Sequence, residues 1–227
     1  MSEQSWIFSM VGAFLVGSLP FGVFIAKAHG INLREVGSGN TGATNVGRAL
    51  GKKWGLVCFF LDAAKGAAPV LITGILGGTL GVGLDQQDPG TEWAWILVGL
   101  ATMMGHIYSP FLLFKGGKGV ATAFGAFGAM WPVMTIPVAA ALLVFLVVRR
   151  LCDYMSLASI LAAWTIPIAA VVTTLIQSAP FSVAMPPLVV GGVIASLVTW
   201  RHRSNLARIK AGTELPTGQA PDDASTS

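Results

Sequence analysis

The chain has 227 residues, 54% of them hydrophobic and 11% charged, with a mean hydropathy of +0.71. A soluble domain carries about 25% charged residues, so this composition excludes a water-facing surface over most of the molecule. A net charge of +4 and a pI near 9.3 rest on 14 Lys and Arg; their placement, set out below, marks one basic face and excludes a nucleic-acid binder.

Apolar blocks of about 20 residues, the length that crosses about 30 Å of hydrocarbon, recur along the chain. The first covers 5–28. Met1 to Ser5 hold Glu3 and no Lys or Arg, and the block runs on through Gly17-Ser18-Leu19-Pro20 without a small-residue cleavage site. It is therefore expected to stay as a span, not to be removed as a signal peptide. Further blocks at 54–79, 93–114, 119–133, 136–149, 155–176 and 186–200 give an all-α, polytopic bundle of about seven transmembrane helices. The fourth and fifth blocks are short. Trp131-Pro132 and Pro137 leave open whether 119–149 makes two full spans or a broken hairpin. One membrane-embedded domain is expected over 1–214, with a disordered tail at 215–227, a polar stretch of small residues unable to bury enough surface to order itself. Cys58 and Cys152 lie far apart with no second soft ligand nearby, so they read as packing residues, with neither a disulfide nor a zinc site expected.

Every Lys and Arg except Lys65 falls in the segments near 27–53, 115–118, 149–150 and 201–210, while the loops at 80–92 and 177–186 hold none. Cytoplasmic loops accumulate Lys and Arg. The expected orientation is an outside N-terminus, a cytoplasmic C-terminus and an odd number of spans. A basic inner face suits anionic headgroups and anionic substrates.

Three polar segments share that face. In the first, Val36 to Arg48, Gly37, Gly39 and Gly42 match G-x-G-x-x-G, but a dinucleotide fold needs a flanking strand and a βαβ unit, whereas the neighbours here are spans. What remains is local chemistry. Glycines let amides approach an anion, and a helix beginning near Thr41 would offer its positive end. Ser38, Asn40, Thr44 and Asn45 bring neutral donors, and Arg48 brings a fork for phosphate oxygens; the bland alternative is a turn between spans. In the second segment, Phe114 to Thr122, Lys115 and Lys118 with Gly116, Gly117 and Gly119 make an anion cradle at a helix start. It is no Walker motif, because Gly119 stands where Ser or Thr must follow the Lys. Positive-inside anchoring accounts for the lysines but not for the glycine spacing. In the third, Trp200 to Arg208, His202 and Asn205 share a helical face at i, i+3, and flanking Arg201 and Arg203 disfavour the imidazolium.

Within the membrane, Asp62 and Lys65 stand at i, i+3, either neutralising each other or placing Lys65 near substrate; His106 reads as a buried hydrogen-bonding residue.

These segments together resemble the bacterial acyl-phosphate:glycerol-3-phosphate acyltransferases. The resemblance is carried by G-S-G-N-x-G-A-T-N-V-x-R (Gly37 to Arg48), D-x-x-K-G (Asp62 to Gly66), G-H at Gly105-His106, F-K-G-G-K-G-V-A-T (Phe114 to Thr122), R-H-x-x-N (Arg201 to Asn205) and G-x-E (Gly212 to Glu214). It runs in order over about residues 10 to 214. Ser204 departs from the acidic residue of the pattern, and the loops near 80–92 and 173–187 are long. The resemblance implies a bacterial inner-membrane enzyme, active at the cytoplasmic face, that transfers an acyl chain from acyl phosphate to glycerol 3-phosphate. The products would be 1-acyl-glycerol 3-phosphate (lysophosphatidic acid) and inorganic phosphate, in phospholipid synthesis. It also implies site roles for Ser38, Arg48, Lys118, Ser156, His202 and Asn205, and a structural role for Glu214.

Combined with the residue chemistry, the expected catalytic set is His202, Asn205 and Ser38. The expected phosphate-binding set is Arg48, Lys118, Ser38, Asn40, Asn45, Gly116, Gly117, Gly119, Ser156 and Lys65. The expected partners are acyl phosphate, glycerol 3-phosphate and membrane lipid, handled by a monomer without cofactor, metal or nucleic acid. An acyl phosphate carries its own leaving group, so positioning and charge stabilisation suffice. His202 either takes the hydroxyl proton or orients the hydroxyl while a phosphate takes it. The H-x-x-x-x-D pair of soluble-domain acyltransferases is missing, since Arg34, Phe111 and Ala207 stand five residues after His29, His106 and His202. A small anion transporter would share the spans and basic loops, but it would place polar groups near the bilayer midplane, not at one face.

Overall fold

The computed structural model describes residues 1–214, and every regular element among them is helical. The tail expected to be disordered, 215–227, lies outside the described residues. The helices are α1 Glu3–Gly17, α2 Phe21–Ala28, α3 Ala43–Leu50, α4 Lys52–Gly77, α5 Pro89–Ile107, α6 Val120–Gly128, α7 Thr135–Leu151, α8 Met155–Ile176, α9 Phe181–Arg201 and α10 Arg203–Lys210. Among the described residues, five stretches are long and apolar enough to cross a membrane: Glu3–Ala28, Lys52–Gly77, Pro89–Leu112, Met155–Ile176 and Phe181–Arg201.

The first apolar block is two helices. Pro20 lacks an N–H, and the ladder stops at Ser18–Pro20. Inside lipid the carbonyls freed at such a break need partners. Ser109 Oγ donates to Ser18 O at 2.6 Å, and Lys65 Nζ donates to Leu19 O at 2.6 Å. The block at 93–114 starts earlier than its hydropathy suggests, because Asp88 accepts from Thr91 N at 2.8 Å and Pro89 fits the first turn.

Helix α6 has 9 residues and α7 has 17. At about 1.5 Å per residue, α6 covers less than half of the hydrocarbon. The chain unwinds after Gly128 and continues irregularly to Met134, with Met130, Val133 and Met134 buried. The segment after α4 fills the gap beyond α6. Gly81 N donates to Trp131 O at 2.9 Å, Leu84 is buried, and Gln87 Nε2 donates to Thr79 O and Val82 O.

Close helix pairs are built on small residues, the usual way membrane helices approach. A Cβ on Gly17 would overlap the Thr102 carbonyl oxygen, which brings α1 against α5. Cβ atoms on Gly66 and Gly125 would overlap the carbonyl oxygens of Thr122 and Ala63, which brings α4 against α6. The main core is centred on Trp95, Phe127, Met130 and Ile194, and Trp95 Nε1 donates to Val70 O at 2.9 Å. The chain termini of the described part lie at opposite ends of the bundle. A Cβ on Gly77, at the end of α4, would stand 2.9 Å from Trp6 and 3.6 Å from Met1 Sδ, whereas Glu214 meets Asn205 beyond the end of α9.

Candidate active site

At the Glu214 end, the segment between α2 and α4, the start of α6, the start of α8 and the α9–α10 junction surround one cavity of about 850 Å³. Each polar contribution follows from local structure. In the first segment Asn45 is the hub. It is 1% exposed, and its Oδ1 accepts from Ser38 N at 2.9 Å and from Ser38 Oγ at 3.3 Å. Its Nδ2 donates to Leu33 O and Val36 O at 3.2 and 3.0 Å. Gly37, at φ +57°, passes so close that a Cβ would stand 2.5 Å from Asn45 Oδ1. The amide of Asn45 therefore folds the loop, and Ser38 and Arg48 are what the loop presents to the cavity. Asn40 also lines it, with Oδ1 accepting from Gly42 N at 2.9 Å. Burial draws Arg48 below the ordinary guanidinium value while Glu214 pulls the other way, and an arginine stays charged throughout.

Lys118 leaves the glycine loop just before Gly119, which at φ +82° caps α6 in a left-handed conformation. Lys118 Nζ donates to Asn205 Oδ1 at 2.5 Å, Asn205 Nδ2 donates to Glu214 Oε1 at 2.6 Å, and Arg208 Nε pairs with Glu214 Oε2 at 2.6 Å. Both ends of Asn205 are thus committed, one to holding the ammonium and one to a carboxylate. Burial pushes Lys118 down to about 8; Glu214 opposes the fall, and Arg208, Arg48 and Arg201 add to it.

His202 closes α9. Its Nδ1 lies 2.8 Å from Val198 O. A carbonyl can only accept, so Nδ1 carries the proton and Nε2 is the acceptor. Burial first, then Lys118, pushes the imidazole down to about 3, with Arg201 adding to the fall and the Val198 carbonyl opposing it. The ring is neutral at physiological pH. Ser156, in the first turn of α8, lines the cavity and is 4% exposed, and its buried Oγ has no partner in the protein.

Three of the expected phosphate ligands stand elsewhere. Gly116 N and Gly117 N donate to Ile107 O and His106 O at 3.0 and 3.2 Å, so these amides face α5. Their glycine character is explained by packing, since a Cβ on either would overlap His106. Lys65 is bound to Asp62 Oδ1 and Leu19 O, both at 2.6 Å, under the α1–α2 break. It lines a separate, water-sized space beside the cavity, although Asp62 and His106 border both. Gly119 does line the cavity.

One side of the wall is apolar. Leu56 and Phe59 of α4, Val120 of α6 and Phe145 of α7 line it, and Leu56 is 48% exposed on the outside of the bundle. A single space thus joins a cationic, donor-lined end to an apolar side wall.

The glycerol-3-phosphate acyltransferase family profile matches residues 7–212. The chain belongs to that family. Glycerol-3-phosphate acyltransferases of Trichlorobacter lovleyi and Aquifex aeolicus are 42% and 41% identical to it, over 92% of this chain in each case and 95% and 97% of theirs. Two solved structures of PlsY, an integral membrane glycerol 3-phosphate acyltransferase, share its fold. The glycerol 3-phosphate form has a TM-score of 0.76 at 39% identity, covering 98% of this chain and all of the other. The lysophosphatidic acid form has a TM-score of 0.73 at 40% identity, covering 93% and 95%. This acyltransferase of phospholipid synthesis is therefore an integral membrane protein.

Some lining residues of the acyltransferase cavity were not singled out as site residues from the sequence: Phe59, Phe145, Arg149 and Ser159. They sit inside apolar blocks or at a span end, where a window of sequence looks the same whether a side chain faces lipid, core or cavity.

Proposed function

We propose that the cavity transfers an acyl chain from acyl phosphate to the 1-hydroxyl of glycerol 3-phosphate, releasing inorganic phosphate. One observation carries the reading: Arg48, Lys118, Ser38, Ser156 and His202, from four separate segments, line one cavity that also has an apolar side of Leu56, Phe59, Val120 and Phe145. An acyl phosphate has that mixed character, an apolar tail joined to a phosphate. The solved PlsY forms, with glycerol 3-phosphate and with lysophosphatidic acid, match the acceptor and the product of this step.

In the step, the acceptor hydroxyl oxygen attacks the acyl carbonyl carbon. The carbon–oxygen bond to phosphate breaks, and inorganic phosphate leaves with the electron pair. Arg48 and Lys118 hold phosphate oxygens and offset the charge that builds there, while Ser38 and Ser156 donate from the cavity wall. His202 Nε2 accepts a hydrogen bond from the attacking hydroxyl and fixes its direction. A pKa near 3 makes it a weak base, so the proton ends on the departing phosphate. The tail leaves sideways along Leu56, Phe59 and Phe145 into lipid. Asn205 acts by holding Lys118, and Asn45 by shaping the Ser38 loop. One chain lines the cavity, so a monomer suffices.

We place the cavity end in the cytoplasm and the N-terminus outside, in a bacterial inner membrane. Supporting this, Lys and Arg gather at the cavity end and are missing from the loops at 80–92 and 177–186. Counting α6 with 129–134 as one crossing and α7 as another gives seven, consistent with termini at opposite ends.

Purified protein given acyl phosphate and glycerol 3-phosphate should release phosphate and form lysophosphatidic acid in equal amounts. Arg48→Ala should abolish turnover, and His202→Ala, by loosening the direction of the attacking hydroxyl, should lower kcat by about 10²-fold. Full activity in both variants, with wild-type folding, would refute the site.

A further inference from the structure

The glycine loop that delivers Lys118 is held from outside by two arginines. Arg201 Nη2 donates to Gly116 O and to Gly117 O, each at 2.9 Å. Arg34 Nη2 donates to Lys115 O. Three consecutive carbonyls, Lys115 to Gly117, therefore point at guanidinium groups, while the amides of Gly116 and Gly117 go to α5. No backbone polar group is left to let this stretch slide. The arginines come from different parts of the chain: Arg34 from the segment that carries Ser38, and Arg201 from the residue before His202. The loop is thus pinned by the two segments that complete the cavity. The pinning has an electrostatic consequence as well. Carbonyl oxygens turned toward an incoming phosphate would repel it; captured by guanidinium groups, they face away.

We propose that Arg201, assisted by Arg34, is a positioning residue that fixes the Lys115–Gly117 carbonyls so that the Lys118 ammonium meets substrate phosphate. The proposal rests on the acyl-transfer reading for its substrate, and on the loop geometry alone for its mechanism. Arg201 reaches substrate through Lys118. Its guanidinium is also one of the charges that depress Lys118, together with Arg208 and Arg48, against Glu214. Freeing the loop or removing the charge moves Lys118 in the same direction, upward.

The test uses the purified full chain in detergent, with Arg201→Gln, Arg201→Lys, Arg34→Gln and Lys118→Ala and their combinations. Glycerol 3-phosphate affinity is read by calorimetry and turnover by phosphate release. In Arg201→Gln, affinity or KM should weaken about tenfold or more while kcat changes less than about threefold. The alkaline limb of kcat/KM, which Lys118 at about 8 leads us to expect in the wild type, should move up. Arg201→Lys should recover part of the loss, because one ammonium still reaches both carbonyls. On a Lys118→Ala background, Arg201→Gln should add little. A purely structural role predicts less folded protein with KM and pH limb unchanged, and that result, or full additivity with Lys118→Ala, would overturn the proposal. Should Arg201→Gln fail to fold, Arg34→Gln, whose side chain is exposed, reads the same carbonyl clamp, and wild-type affinity with an unshifted limb there would overturn it. A wild-type protein that binds glycerol 3-phosphate but transfers no acyl group would instead sink the functional reading, leaving the affinity comparisons to decide the clamp.

Discussion

Lys118 Nζ donates to Asn205 Oδ1 at 2.5 Å while burial holds its pKa at about 8, so its charge is conditional. Phosphate binds the protonated form; affinity is therefore complete below that pH and declines as pH rises through it. We expect kcat/KM to fall above pH about 8, and the fall to vanish in an active Lys118→Arg variant, because a guanidinium stays charged past that range. A limb that persists unchanged in Lys118→Arg belongs to another group. Asn45 gives a second expectation. Asn45→Ala strips acceptors and donors from Ser38, Leu33 and Val36, and each buried group left unmatched costs about 1–3 kcal/mol. Lower thermal stability should accompany a raised KM. From sequence, Asn45 is one donor among several in a glycine-rich loop. Whether such an amide points outward to a ligand or inward to its own backbone depends on the loop's path, and composition does not encode that path.

At the scale of elements, α6 transmits packing to chemistry. Its first turn follows Lys118 and Gly119, and its middle lies against α4 through Gly66 and Gly125. Gly125→Val forces the helices apart at the Ala63 carbonyl. Overpacking of this kind costs about 1–3 kcal/mol, and the displaced helix start carries Lys118 with it. We expect a lower unfolding temperature in detergent together with a raised KM. An unfolding temperature and KM both equal to wild type would show that α4 and α6 do not transmit. The apolar run 119–133 leaves open, from sequence, a full span or half of a broken hairpin; helix ends at Gly128, and the loop after α4 meets the chain beyond it through Gly81 N and Trp131 O. A partner some 50 residues away in the chain leaves no mark in a local window. The break at Ser18–Pro20 differs: its proline is visible, but the side chains of Lys65 and Ser109 that make the break tolerable come from other helices.

For the whole molecule, termini at opposite ends and the one-sided distribution of Lys and Arg make a topological prediction. In a Cys152→Ser background, Ser2→Cys in intact cells should react with an impermeant thiol reagent, and Lys210→Cys should react only after the membrane is opened. Equal reactivity from outside would reverse or break the proposed orientation. Ser38→Cys and Lys115→Cys should behave like Lys210→Cys, since both belong to the cavity end.

Much of this protein was legible in one dimension. Apolar block length set the helical membrane class, because a span must satisfy its own backbone in lipid. Side-chain chemistry picked out Ser38, Arg48, Lys118 and His202, and the family resemblance added Ser156; all five line one cavity, since donors and cations in motifs keep their identity wherever the chain goes. Tertiary structure alone decided direction and partnership: that Asn45 faces its own loop, that Gly116 and Gly117 are glycines to clear His106, that Lys65 serves a broken turn, and that two arginines hold the loop before Lys118. Those are relations between segments distant in sequence, and a packed bundle creates them only when it forms.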